Sequence, residues 1–260
     1  MNDALAALVR RHDPDRFLTA LFAAPERRDA LLALYAFNHE LARAREVASE
    51  PTLALIRLQW WREVVEGAPK RHEIATPLSA AIATGALLPP DLLAMIDARE
   101  VEAEPGIETQ AEWDSYLMAG AGGVSVAAAR LLGAPHPEAF RPYGAAYGAA
   151  GLLRSVPVLA RVDRCLLPLD LLAAQGLSPE AAIADPGSAE VAAVITHLRR
   201  TVSGWLDACP RRVNPRAAIA AALPAVLARR DLRRIGESPR PRGIGDRAAV
   251  TLAALTGRLS

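Results

Sequence analysis

The sequence predicts an all-α protein, built as a single-domain helical bundle. Hydrophobic residues make up 52% of the chain and aromatic residues only 5%, and the apolar content is dominated by alanine and leucine, which favour helices over strands. Apolar residues also recur at helical spacing in segments separated by proline and glycine. With 260 residues the chain can bury a sizeable core, and we expect one domain over residues 1–260.

The first helices are predicted from apolar stripes between prolines. One stripe begins at Phe17 and ends near Pro25. Another helix starts at Pro51 and ends at Gly67, because proline is tolerated in a first turn and glycine favours a helix end. We expect these stripes to face the core; the stripe of the second helix consists of Leu53, Ile56, Trp60 and Val64. Between them lies a helix whose core-facing side holds Leu31, Leu34, Tyr35, Asn38, Leu41 and Ala42.

The middle of the chain predicts further helices. One restarts after Pro89 and Pro90 with Asp91 in its first turn, where backbone N–H groups favour negative charge. Residues 112–133 and 141–160 are rich in small side chains, which predicts two tightly packed inner helices or the floor of a pocket. We expect Pro157 to disfavour a regular helix at its turn, because it lacks an N–H group. Residues 236–247 predict an exposed loop before a short last helix.

The charge and cysteine content exclude several classes of function. The formal net charge of +1 at pH 7 lacks the large positive excess that is typical of a nucleic-acid-binding protein. Cys165 and Cys209 lie far apart in the sequence, which favours free thiols in a reducing compartment. The chain has no signal-peptide pattern and no apolar run of membrane-spanning length. We therefore expect a cytoplasmic protein, or one bound peripherally at the inner face of the cytoplasmic membrane.

Two charged clusters each allow two interpretations. Asp97, Glu100 and Glu104 share a helix face that could hold a cation, although a solvated acidic face beside Arg99 is the simpler interpretation. A group of C-terminal arginines could attract anionic lipid, although a solvated helix end is again simpler. That group consists of Arg229, Arg230, Arg233, Arg234, Arg240 and Arg242.

The order of several motifs resembles that of a known family. Tyr35, Ala36 and Phe37 match the Tyr-Ala-Phe that opens an aspartate-rich helix in the squalene/phytoene synthase family. The segments "RLQWWREVVEG", "YLMAGAGGV" and "CLLPLDLLAAQGLSPE" look like later segments of the same family. The resemblance covers almost the whole chain and implies the all-helical terpenoid (isoprenoid) synthase fold.

The resemblance also implies where the catalytic site of such a synthase would lie. In this family two carboxylate clusters on facing helices hold Mg²⁺ ions, which neutralise a prenyl diphosphate so that it can leave. Here one acidic residue remains in the first motif and none in the second. The first motif falls on Asn38, His39, Ala42, Arg43 and Glu46, and the second on Gly151, Arg154, Ser155, Val158 and Leu159. We therefore predict that no metal or cofactor is bound, and expect Mg²⁺ only if the protein is an active synthase.

Arginines could replace the metals, since a guanidinium matches two phosphate oxygens. In that interpretation Arg43, Arg154 and Arg164 clamp a diphosphate directly. In the alternative, Arg154 and Arg164 are ion-pairing residues with partners such as Asp163 or Asp170. The full set of candidate ligand or diphosphate contacts is Tyr35, Arg43, Tyr116, Arg154 and Arg164.

Three interpretations of function follow. The motifs look most like a branch of the family that assists assembly of respiratory complex I, in which both aspartate motifs are degraded; this implies a bacterial pseudoenzyme whose partners are complex I subunits or assembly intermediates. The second interpretation is an active head-to-head prenyl transferase. The third is an isoprenoid or lipid binder, which requires that Ala42, Gly120, Gly151 and Val158 line open volume.

Overall fold

The computed structural model describes residues 3–46, 48, 50–104, 106–237 and 241–259. These residues form α-helices joined by turns. No β-strand occurs among the described residues, which confirms the all-α prediction. In chain order the helices are α1 Asp3–His12, α2 Pro14–Ala20, α3 Pro25–Glu46, α4 Pro51–Val65, α5 Ala75–Ala83, α6 Pro89–Glu100, α7 Gln110–Ala119, α8 Ala121–Leu131, α9 Arg141–Ala160, α10 Leu169–Ala173, α11 Pro179–Ala184, α12 Ala189–Ala208, α13 Ile219–Ala222, α14 Pro224–Arg234 and α15 Ile244–Thr256. Short 3₁₀ turns lie at Val101–Ala103, Pro137–Phe140 and Arg216–Ala218.

Proline and glycine set the helix ends as predicted. Helices α4 and α6 begin at Pro51 and Pro89, because a first-turn residue needs no N–H partner. Gly67 lies just beyond α4 with φ at 100°, a left-handed conformation that L side chains rarely adopt. These local signals could therefore be read without knowledge of the tertiary structure.

The stripe predicted to face the core in α4 was partly wrong. Leu53 and Ile56 are 44% and 60% exposed, whereas Val64 is buried as expected. Leu58 and Trp61 face the core instead, because the buried side of the helix is offset by one position, which is about 100° around its axis.

The two segments rich in small residues form the tightly packed centre of the bundle. Helices α8 and α9 lie against each other along most of their length, and α9 also contacts α12 and α14. A Cβ atom added at Gly148 would lie 2.4 Å from the Cβ atom of Ala121, and one at Gly144 would lie 2.3 Å from the Ala121 carbonyl oxygen. Glycine is thus required for the backbones to approach this closely, as expected of inner helices. Residues 112–133, however, belong to two helices, α7 and α8, and not to one.

Two predictions about backbone interruptions were wrong. Helix α9 continues through Pro157 to Ala160, because the proline removes only the one bond that its N–H would donate to the Leu153 carbonyl, while the packing of buried Leu153 and Val156 holds the helix in place. The loop expected over residues 236–247 ends at Gly243, and residues 244–247 form the first turn of α15. Residues 238–240 of that loop lie outside the described residues.

None of the helices described here combines the length with the apolar content that crossing a membrane requires. Cys165 and Cys209 are both free thiols, as predicted.

Candidate functional site

A cavity of about 270 Å³ brings both degenerate motifs together. Ala42 and Glu46 line it from α3, one helical turn apart. Gly151, Ser155 and Leu159 line it from α9, where a spacing of four residues keeps them on one helix face. Five of the ten motif positions thus surround one space, in the arrangement that the family resemblance implied.

One end of the cavity holds a buried cluster of charged and polar side chains centred on Glu102. Arg99 Nη1 donates a hydrogen bond to Glu102 Oε1 at 2.5 Å, and the Tyr116 hydroxyl donates to the same oxygen at 2.8 Å. Arg164 Nη2 donates to Glu102 Oε2 at 2.7 Å. The side chains of Arg99 and Glu102 are 15% and 6% exposed, so water contributes little to their solvation.

The pKa shifts in this cluster favour its charged form. Burial acts to raise the pKa of Glu102, but the charges of Arg99 and Arg164 outweigh burial and hold that pKa below its ordinary value. Burial acts to lower the pKa of Arg99, yet the net shift is upward because Tyr116, Glu102 and Glu46 favour the cation. Burial, together with the charge of Glu102, raises the pKa of Tyr116. The cluster is therefore an ionised carboxylate held between two guanidinium groups.

The residues that line the cavity do not fit the magnesium site of a prenyl diphosphate synthase. Mg²⁺ requires several oxygen ligands in octahedral geometry, whereas Ala42, Gly151 and Leu159 offer no side-chain oxygen. Both carboxylate oxygens of Glu102 already accept hydrogen bonds from arginine. Within the described ranges, no group of three His, Cys, Asp or Glu side chains could hold a metal ion.

Several motif residues lie outside the cavity. The prediction that Val158 lines open volume was wrong: it is 56% exposed on the surface, because it is turned by about 100° from Leu159 on the helix. Arg43 pairs with Glu40 on its own helix at 3.1 Å. Asn38 is buried, and His39 stacks on His12 with ring centroids 4.6 Å apart.

Arg154 of the second motif and Arg164, which follows the motif, form ion pairs, but their partners are not those expected from the sequence. Arg154 pairs with Asp231 of α14 at 2.9 Å, and Arg164 pairs with Glu102. Neither Asp163 nor Asp170 is the partner. Helix packing places Asp231 and Glu102, which are distant in sequence, next to these two arginines. Of the two, Arg164 alone lines the cavity.

Of the two tyrosines considered as ligand contacts, only Tyr116 reaches the cavity. Tyr35 is fully packed in the core at 1% exposure. The guanidinium of Arg16 lies 5.7 Å from the centroid of its ring and 4.8 Å from that of Tyr147. Tyr35 therefore stabilises the packing of α2 against α3 and does not contact the cavity.

Arg99 and Glu102, the pair at the cavity end, were not predicted as site residues from the sequence. Their i, i+3 spacing was a signal for an ion pair, although not for its place in the fold. The acidic face considered as a cation site is bridged by protein, since Arg62 of α4 donates to Asp97 at 2.6 Å and to Glu100 at 2.8 Å. A guanidinium thus lies where a free cation had been considered.

The sequence model of the squalene/phytoene synthase family matches residues 9–254. The chain belongs to the squalene/phytoene synthase family. Among solved structures, a dehydrosqualene synthase superposes with a TM-score of 0.77 at 13% identity, covering 98% of this chain and 95% of that one. The squalene synthase HpnC from Alicyclobacillus acidocaldarius gives a TM-score of 0.66 at 18% identity, covering 98% and 93%. At these identities the likeness shows the fold alone.

Among curated proteins, this family member is similar to complex I assembly factors. It is 28% identical over 181 residues to the human NADH dehydrogenase (ubiquinone) complex I, assembly factor 6, covering 66% of this chain and 54% of that protein. It is 30% identical over 198 residues to the Drosophila melanogaster homolog, covering 67% and 56%. The chain thus spans about half the length of the curated relatives it matches.

Proposed function

We propose that this protein is a non-catalytic member of the squalene/phytoene synthase family that acts in the assembly of respiratory complex I. The observation that carries the proposal is the cavity between α3 and α9, where the Arg99–Glu102–Arg164 cluster stands in place of paired carboxylates. In this proposal the Glu102 carboxylate stabilises the fold and does not bind a metal ion, since breaking a buried ion pair is strongly destabilising.

The chemistry of the cavity supports this proposal. Release of a diphosphate requires metal ions or equivalent positive charge at the leaving group. The two cavity arginines are already paired with Glu102, and Glu46 adds a further negative charge that would repel an anionic substrate. We therefore propose that the protein works without a metal or cofactor.

The relatives support the choice of process. The human and Drosophila proteins are complex I assembly factors by name, and their similarity to this chain covers about two thirds of it. In our proposal the partners are complex I subunits or assembly intermediates, and nucleic acid is not a partner. We place the protein in the bacterial cytoplasm, in peripheral contact with the inner face of the cytoplasmic membrane.

Deletion of the gene in its host tests this proposal. We expect membranes from the deletion strain to lose NADH:quinone oxidoreductase activity and to regain it when the gene is restored. Succinate oxidation in the same membranes serves as the control, because it does not pass through complex I. Unchanged NADH oxidation in the deletion strain would contradict the proposal.

A second candidate function is binding of an isoprenoid or lipid tail, favoured by the open volume beside Gly151. Apart from the backbone of its own helix and its two chain neighbours, no atom of the described residues lies within 4 Å of a Cβ built at Gly151. At about 270 Å³ the cavity falls near the lower limit for small-molecule sites. Extraction of the purified protein with organic solvent, followed by mass spectrometry, would reveal a bound isoprenoid. Pyrophosphate released from a prenyl diphosphate with Mg²⁺ would instead favour the prenyl transferase, an isoprenoid-biosynthesis role.

A further inference from the structure

A second and larger concave surface lies between α12 and α14, away from the degenerate motifs. This groove has a volume of about 490 Å³ and is open to solvent on one side. Leu206 and Leu232 form part of its floor. Its polar lining consists of Arg199, Arg200, Ser203, Asp207, Arg229 and Arg233. Four guanidinium groups therefore face one carboxylate.

The arginines of α14 divide into paired and unpaired residues. Arg230 and Arg234 both bind Asp246, at 2.5 and 3.0 Å, and so fasten α15 to α14. Arg229 binds Asp207 at 2.8 Å. Arg233 has no ion-pair or hydrogen-bond partner among the described residues, although it lies one turn from Arg229.

Helix α12 contributes two further arginines to the groove. The guanidinium groups of Arg199 and Arg200 have no partner within the part of the chain that the structure describes. The Ser203 hydroxyl donates to the backbone oxygen of Arg199 at 2.8 Å, so it is engaged with its own helix. Among the described residues, three cations without a partner thus line one groove, and like charges on neighbouring turns repel each other.

The excess of positive charge is local to this end of the chain. Residues 199–260 contain thirteen arginines and four acidic residues, whereas residues 1–198 contain seventeen basic and twenty-five acidic residues. The overall charge of +1 conceals this separation. A surface with such an excess, arranged around a concave site, attracts anions.

Part of the groove is fixed in advance of binding. Arg229 Nη2 donates to the backbone oxygen of Leu206 at 2.6 Å in addition to its bond to Asp207. Its side chain is only 18% exposed, whereas that of Asp207 is 64% exposed. Arg229 is therefore held against the groove wall by two contacts, and its partner carboxylate points largely to solvent.

We propose that the groove between α12 and α14 binds phosphate groups, with Arg199, Arg200 and Arg233 as the residues that contact them. Guanidinium groups bind phosphate oxygens in pairs, which gives this anion an advantage over chloride. The open side of the groove admits a ligand whose remaining part extends into solvent. A soluble phosphorylated compound and a phospholipid headgroup share this chemistry. The inference is independent of the role in complex I assembly.

Calorimetric titration of the purified full chain with inorganic pyrophosphate, at constant ionic strength, tests this inference. We expect saturable binding of pyrophosphate to the unaltered protein. The dissociation constant of the Arg199→Gln/Arg233→Gln double variant should be at least about tenfold higher, because two charge-assisted contacts are lost. The Arg27→Gln/Arg71→Gln variant is the matched control, since it removes the same charge from two exposed arginines elsewhere. Thermal unfolding of each variant verifies that it is folded.

Flotation with vesicles of phosphatidylglycerol and phosphatidylcholine, against phosphatidylcholine alone, distinguishes the two sources of phosphate. Flotation that needs both the anionic lipid and Arg199 with Arg233 supports a headgroup ligand. Pyrophosphate binding that needs these arginines, without flotation, supports a soluble phosphorylated ligand. Equal behaviour of the groove variant and its control in both assays would overturn the inference, as would the absence of saturable pyrophosphate binding together with the absence of flotation.

Discussion

The cavity between α3 and α9 and the groove between α12 and α14 use arginine in opposite ways. In the cavity, Arg99 and Arg164 are buried and both bind the carboxylate of Glu102. In the groove, Arg199 and Arg233 have no partner among the described residues and face solvent or the groove interior. The comparison teaches that the partners of an arginine, which depend on the tertiary structure, decide whether its charge is available to a ligand.

The largest expected change in the free energy of unfolding comes from the buried cluster in the cavity. Replacement Glu102→Ala leaves Arg99 and Arg164 buried without a partner, so we expect the free energy of unfolding to fall by about 3–5 kcal/mol. Urea unfolding followed by circular dichroism measures it. Glu104→Ala, which removes an exposed carboxylate nearby, should change the stability by less than about 0.5 kcal/mol. Similar losses in both variants would show that the cluster is not structural.

The next largest effect concerns Asp246. Its ion-pair partners, Arg230 and Arg234, lie on α14, the helix that also carries two of the groove arginines. Burial acts to raise the pKa of Asp246, but hydrogen bonds from Arg230 and Arg234 outweigh it and hold this pKa at about 2. Because the folded-state pKa lies below the unfolded one, the stabilisation is present above about pH 4. It is lost as the pH falls towards 2.

We expect the variant Asp246→Asn to lose about 1–3 kcal/mol of stability at pH 7, because charge-assisted hydrogen bonds become neutral ones. Its free energy of unfolding should also fall less steeply than that of the unaltered protein between pH 4 and 2. Urea unfolding at several pH values measures both quantities. Parallel pH profiles for the two proteins would contradict the assigned role of this carboxylate.

Two glycines of α9 test whether the cavity is open volume. Gly148→Ala would place a Cβ atom 2.4 Å from that of Ala121, so we expect a loss of about 1–3 kcal/mol from overpacking. Gly151→Ala meets no atom within 4 Å, and the higher helix propensity of alanine should add about 0.5–1 kcal/mol. Thermal unfolding compares the two variants. A destabilised Gly151→Ala variant would indicate that the cavity is closed.

The smallest expected change in stability belongs to the groove. The Arg199→Gln/Arg233→Gln variant removes charges without partners, so its free energy of unfolding should stay within about 0.5 kcal/mol of the original. A slight gain is consistent with relief of repulsion between like charges. A loss above about 2 kcal/mol would mean that these arginines have structural partners, and the contrast between the two regions would no longer hold.

Much of the fold was predictable because its signals are local. Pro51, Pro89 and Gly67 act through backbone conformation within one turn, and the small residues of α8 and α9 permit close packing regardless of the loops. Pro157 misled the prediction because the loss of one backbone hydrogen bond is a local effect, whereas the tertiary packing of α9 decides whether the helix continues. The expected loop was too long since Asp246 caps the first turn of α15, accepting a hydrogen bond from the Gly243 N–H group at 3.3 Å.

The site was predictable only where it follows helix periodicity. The family resemblance placed Ala42 and Glu46 on one face and Gly151, Ser155 and Leu159 on another, and the structure brings the two faces together. Glu102 could not be selected, because it lies 62 positions from Arg164, the arginine that its Oε2 atom contacts. Such a pairing depends on how the helices pack. Which groove arginines are paired and which are not could not be predicted for the same reason.

The most direct test of the proposed function is complementation of the deletion strain with the Glu46→Gln variant beside the unaltered gene. Glu46 is the one acidic residue left in the degenerate motifs, so any metal chemistry at these positions would depend on it. We predict that both genes restore NADH:quinone oxidoreductase activity of the membranes equally, at equal protein levels. Restoration by the unaltered gene but not by Glu46→Gln would contradict a non-catalytic role, and failure of both would contradict the role in complex I assembly.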